Sequence, residues 1–152
     1  MKKVLLFAAA LLLVMCKSAS LDESVAQVHH RDDFEGLDPD QTTKVLKELE
    51  ATDDKYSVLV FTQNYKGEKV IATTAGKRMY TNYIKSNKKT GVAAKARIEN
   101  TANTRVYDNL TKKEIVIDSE EAKKHKFIYL KKNLEGDTPY TITYSNTLRP
   151  LK

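Results

Sequence analysis

The chain has 152 residues, with 26 lysines and arginines against 20 aspartates and glutamates, a formal net charge of +6, one cysteine and no tryptophan. A single cysteine excludes a disulfide framework, so the fold must rest on its apolar core. The one long apolar run lies at the start, and with no second run of that kind an integral membrane protein is excluded.

That run, Val4 to Met15, follows Lys2 and Lys3 and is 12 residues long. This is the length of a signal-peptide core rather than of a membrane span. Cys16 comes directly after it. Leu13-Val14-Met15-Cys16 resembles the lipobox of bacterial lipoproteins, with Met15 standing where that pattern normally has Gly or Ala. The resemblance implies a signal peptide over 1–15, cleavage before Cys16, and Cys16 as the lipidated residue holding the protein to a membrane. The alternative is plain secretion with cleavage after Ser20, at the small-residue stretch Ser18-Ala19-Ser20. Both readings put the protein outside the inner membrane, secreted or in the cell envelope (periplasm or outer membrane).

Beyond the signal the chain has two electrical halves. Residues 17–54 carry 4 basic and 11 acidic side chains, whereas residues 55–152 carry 20 basic and 9 acidic ones. Residues 16–36 are polar and without period, which predicts a flexible acidic tether. The folded domain is expected over 37–152. It opens with a helix over 39–51, because Asp38-Pro39 supplies an N-cap followed by proline at the first helical position and Val45, Leu46 and Leu49 recur at helical spacing.

From residue 56 the pattern changes to period two. Tyr56 to Thr62 is β-branched and aromatic. Asn64 to Gly67 is a turn signal before a second strand, Lys69 to Thr74, giving a hairpin. Arg78 to Lys85 follows Ala75-Gly76. Val92 to Glu99 alternates, with Val92, Ala94, Ala96 and Ile98 on one side and Lys95, Arg97 and Glu99 on the other. Strands are expected at Thr104 to Asp108, Glu114 to Asp118, Phe127 to Leu130 and Tyr140 to Tyr144, with a single helical turn near Glu120 to Lys124. Seven or eight strands behind one short helix predict an all-β fold, a single antiparallel β-sandwich, with a small β-barrel as the alternative.

The C-terminal 50 residues resemble a pattern of immunoglobulin-like β-sandwich modules in small secreted bacterial lipoproteins of the Bacteroidetes type. Thr104 to Asp108, Thr111 to Ile115 and Gly136 to Tyr144, with its Tyr-x-hydrophobic-x-Tyr ending, carry that resemblance. It implies an Ig-like architecture and no particular activity.

Chemistry-bearing residues are sparse. His29-His30-Arg31-Asp32-Asp33 contains metal-ligand types. Adjacent residues in a tether do not make a preorganised cage, so a solvated linker is the simpler reading, with His29 and His30 the weak metal candidates. His125, between Lys124 and Lys126, reads as an exposed loop histidine, since no nucleophile motif, metalloprotease motif or phosphate-binding loop accompanies it. The chain therefore reads as no enzyme, with no cofactor. The lysines gather in turns: Lys85, Lys88 and Lys89; Lys112 and Lys113; Lys123, Lys124 and Lys126; and Lys131 with Lys132. With Tyr65, Tyr80, Tyr83 and Tyr129 between them, they form a candidate surface for a polyanion. Their bland role is to keep strand edges from pairing.

The expected function is a non-catalytic binding or interaction module, tethered or secreted. Its partner would be a polyanion, such as a polysaccharide or lipopolysaccharide, or another envelope protein, with no specific nucleic acid. A lipocalin-like small-ligand barrel is the alternative. Replacing Cys16 by Ser should move the protein from the detergent phase to the aqueous phase of a Triton X-114 partition. Unchanged partitioning would remove the lipid assignment.

Overall fold

The computed structural model describes residues 25–150. The signal segment 1–15, Cys16 and the alternative cleavage site at Ser20 lie outside the described residues.

Helix α1 (Pro39–Glu48) begins where Asp38 caps it, the carboxylate accepting the Gln41 N–H at 2.9 Å. It stops three residues before the expected Ala51. Glu50 turns into the left-handed region (φ 51°), and the Ala51 N–H reaches back to the Leu46 carbonyl at 2.8 Å.

The strands among the described residues are β1 (Ala26–His30), β2 (Tyr56–Phe61), β3 (Lys66–Thr74), β4 (Lys77–Lys85), β5 (Ala94–Glu99), β6 (Thr104–Asp108), β7 (Lys113–Ile117), β8 (Phe127–Lys132) and β9 (Tyr140–Ser145). A short helix, α2 (Ser119–Lys124), links β7 to β8. The strands make two sheets, ordered β1-β9-β8-β2-β5 and β4-β3-β6-β7. The mostly-β, two-sheet architecture agrees with the expected sandwich. Neither sheet closes on itself, so the small-barrel alternative is not met.

Two features differ from expectation. First, the larger sheet is mixed rather than antiparallel, because β1 runs parallel to β9 and β2 runs parallel to β8. Second, the described part of the expected 16–36 tether is structured. β1 adds to the edge of β9 through main-chain rungs, which depend little on side-chain type. The segment after it is fastened too: Asp32 accepts from the Ser145 hydroxyl at 2.7 Å and the Asn146 N–H at 2.6 Å.

The sheets face each other over one apolar core. Leu59 and Phe61 of β2, Ala96 and Ile98 of β5, Ile128 and Leu130 of β8 and Ile142 of β9 meet Val70, Ala72, Val106, Ile115 and Ile117. A second cluster lies on the outer face of the larger sheet. There Val58, Val60, Phe127 and Tyr129 receive Val45, Leu46 and Leu49 of α1, together with Ala51 and Leu148. β2 and the apolar part of β8 are thus covered on both faces, which is why they read as continuous apolar runs instead of alternating ones.

Inside the first core, at one end of the sandwich, lies a charged cluster. Lys132 of β8 contacts Glu68 of β3 and donates to Asp108 of β6 at 2.9 Å. Their side chains are 9%, 2% and 1% exposed. The Tyr140 hydroxyl of β9 donates to Asp108 at 2.6 Å, and the other Asp108 oxygen accepts the N–H groups of Leu110 and Thr111. The lysine pattern places Lys132 in a turn; β8 instead runs two residues past Leu130, and alternation turns Lys132 inward. Burial pushes the Asp108 carboxyl up, but the hydrogen bonds from Tyr140 and Lys132, then from the backbone, outweigh it and hold the carboxyl below its usual range.

A depressed native pKa stabilises the fold above the unfolded value of about 3.9, and that contribution is lost as pH falls through the native value. Lys132→Met should cost about 3–5 kcal/mol in urea unfolding at pH 7, because it leaves two carboxylates buried without their cation. The variant should also lose less stability than the original chain on acidification, because Asp108 without the Lys132 hydrogen bond is held less far below its usual range. Unfolding curves matching those of the original chain at pH 7 and on acidification would refute the assignment.

Candidate functional site

Alternation along β1, β9 and β8 sorts their side chains between two environments. Ala26 and His30 turn toward the smaller sheet, whereas Gln27 and His29 turn outward beside Thr141 and Thr143, their register partners on β9. Helix α1 covers the outer face only over β2 and the start of β8. The rest is the floor of an open groove with a volume of about 820 Å³.

Polar groups line this groove. Thr141 donates to the Asn133 side-chain oxygen at 3.0 Å, and Asn133 donates to the Thr138 carbonyl at 2.8 Å, so the β8–β9 loop is tied to the floor. Three cations line it, Arg31, Lys131 and Arg149, together with two carboxylates, Glu135 and Asp137 of the β8–β9 loop. Arg31 forms a two-pronged ion pair with Asp33, at 2.8 and 3.0 Å. Among the described residues Lys131 has no ion-pair partner. The Arg149 guanidinium lies 4.1 Å from the Phe34 ring centroid and 4.5 Å from that of Tyr129. Its Nε is buried without a hydrogen-bond partner among the described residues. Burial pulls this guanidinium below its ordinary value, and the neighbouring Arg31 charge acts in the same direction.

At one end of the sandwich, where β7 finishes, a second constellation forms. Asp118 caps α2 by accepting the Glu121 N–H at 3.0 Å. His125 closes the helix, its Nδ1 2.8 Å from the Glu121 carbonyl oxygen. His30, at the end of β1, brings Nε2 to 2.7 Å from Glu121 Oε2. The other Glu121 oxygen takes Lys124 at 3.1 Å, and Lys124 first, then His30, hold this carboxyl below its usual value. Tyr144 packs against both imidazoles, with centroid separations of 5.5 and 5.6 Å. Burial raises its phenol to about 12, so it stays neutral.

His29 and His30, grouped by adjacency in the sequence, therefore sit on opposite faces of β1 and cannot share a ligand. His125 is not an exposed loop residue: its side chain is 16% exposed and it meets both His30 and Glu121. Asp118, Glu120 and Glu121 are all close to His125 in sequence, and the structure selects Glu121, whose spacing of four residues lets the two meet across a helical turn.

The expected lysine surface is dispersed. Lys85, Lys88, Lys89, Lys112 and Lys113 lie at the end where β4 finishes and β7 begins. Lys123, Lys124 and Lys126 lie at the opposite end, around α2. Lys123 pairs with Glu120 at 2.6 Å, and Lys126 donates to the Asp53 and Tyr56 carbonyls. Of the tyrosines expected among them, Tyr65 and Tyr129 are buried and Tyr80 stacks on Phe61. Arg149 stands alone in the sequence, whereas Arg31 falls in the His29-His30-Arg31-Asp32-Asp33 stretch, which reads from sequence as a solvated linker. No protein-family model matches the chain, and no curated protein matches it in sequence.

Proposed function

We propose that this chain is an exported, envelope-tethered or secreted, non-catalytic binding module whose outer-sheet groove holds an anionic, hydroxyl-rich chain, an acidic polysaccharide. The observation that carries the reading is the pairing of three cations, in excess over the carboxylates Glu135 and Asp137, with a floor of hydroxyl and amide side chains in one groove. Arg31, Lys131 and Arg149 would meet carboxylate or sulfate groups. Gln27, Asn133, Thr141 and Thr143 would exchange hydrogen bonds with sugar hydroxyls. The Arg149 Nε, buried and without a hydrogen-bond partner among the described residues, favours an incoming acceptor, since an unsatisfied buried donor costs about 1–3 kcal/mol. The sandwich serves as Ig-like modules do, as a rigid carrier of surface groups. The lipid at Cys16 belongs to the same proposal and supplies the membrane partner.

Heparin serves as the probe polyanion. Retention should fall steeply with salt, and the pair Arg31→Gln with Lys131→Glu should lower the salt slope by about 1 for each cation removed. The triple change of Lys85, Lys88 and Lys89 to Glu should leave that slope nearly unchanged. Elution with an unrelated protein of equal charge, or loss of retention through the triple change alone, would overturn the groove as the binding site.

A further inference from the structure

We propose that His30, Glu121 and His125 form a binding site for a divalent transition-metal ion of the Zn2+ class. One donor atom from each of the three lies within 4.8 Å of those of the other two. Two imidazoles and one carboxylate are a recognised zinc donor set, which leaves a fourth position for water. They come from two elements far apart in sequence, the end of β1 and the α2 turn, and it is the fold that brings them together.

Three details favour coordination over a simple ion pair. The His125 Nδ1 donates to the Glu121 carbonyl at 2.8 Å and is also the ring nitrogen 3.8 Å from Glu121 Oε2, so coordination through Nε2 needs the ring to turn about that hydrogen bond. A backbone carbonyl in this role is the usual outer partner of a metal-bound histidine. Glu121 divides its oxygens, one toward Lys124 and one toward His30, which suits single-oxygen ligation. The Tyr144 ring restricts both imidazoles from below. Metal–nitrogen and metal–oxygen distances of about 2.0–2.2 Å require the donors to draw together slightly. The side chains of His30 and Glu121, 50% and 30% exposed, have room to do so. The Lys124 ammonium opposes a bound cation, while the Asp32 carboxylate, whose charge interacts with His125, favours one.

The test uses the tag-free full chain carrying Cys16→Ser, which removes the thiol as a competing ligand. After chelator stripping, calorimetric titration with Zn2+ should give one site per chain, and affinity should rise in the order Mn2+, Co2+, Zn2+. His30→Ala, His125→Ala and Glu121→Gln should each weaken binding by more than the roughly 10–100-fold that loss of an outer partner costs. His29→Ala should bind as the parent does. Saturating Zn2+ should raise the thermal midpoint of the parent and of His29→Ala, and leave that of His125→Ala unmoved. Circular dichroism identifies any variant that fails to fold, and Glu121→Gln then carries the comparison, since it keeps the side chain's size. Absence of a one-to-one Zn2+ site, or equal weakening by His29→Ala and His30→Ala, would overturn the proposal. Heparin retention is measured at a separate groove, so its outcome bears on the first reading alone.

Discussion

The ammonium of Lys132, held between the carboxylates of Glu68 and Asp108, is the constraint to which the rest of the sandwich conforms. Such a cluster adds little net stability over a well-packed apolar trio, because desolvation cancels most of its Coulomb gain. What it imposes is register. The three charges and the Tyr140 hydroxyl come from four strands, two in each sheet. A slip of one residue in β8 would turn Lys132 outward and strand two buried carboxylates, so alternative pairings of β8 with β2 and β9 are penalised by several kcal/mol. The sandwich has no disulfide to choose its register, and the buried charges take that role.

With register set, alternation distributes the remaining chemistry. The inner faces of β8 and β9 contribute Ile128, Leu130, Ile142 and Tyr144 to the core. Their outer faces carry Lys131, Thr141 and Thr143 into the groove. Helix α1 is too short to cover the whole outer face, and its apolar stripe is satisfied over β2 and the start of β8. The uncovered part of that face is therefore polar and available. The same logic separates His29 from His30, sending one to the groove and the other to the α2 corner.

Much of the fold was legible in the sequence, because period-two alternation and Gly- or Asn-bearing turns are local signals. Val92 to Glu99 and Tyr140 to Tyr144 display their inward and outward faces directly, and Asp38-Pro39 marks where α1 begins. β1 was not legible. Five residues, mostly polar, at a sheet edge are held by main-chain rungs that leave no trace in composition. The parallel pairing of β2 with β8 was equally hidden, since it joins segments about 70 residues apart and neither strand carries a mark of its neighbour. The site was less legible than the fold. Lysine runs point to turns, yet of the groove cations only Lys131 belongs to one, while Arg31 sits beside two aspartates and Arg149 stands alone, and Lys132, the neighbour of Lys131, lies in the core. His30 and Glu121 are 91 residues apart, so no motif could have joined them.

The way the chain enters the fold has a mechanical consequence. Val25 and β1 start at the end of the sandwich that holds Lys85 and Lys112, and β1 runs from there along β9, flanked by the Tyr140 N–H to Val25 carbonyl bond and the Arg31 N–H to Tyr144 carbonyl bond. A pull on residues ahead of Val25, directed out of that end, acts along the strand axis. The rungs between β1 and β9 are then loaded together in shear rather than unzipped singly, so this edge strand resists tension far better than its five residues suggest.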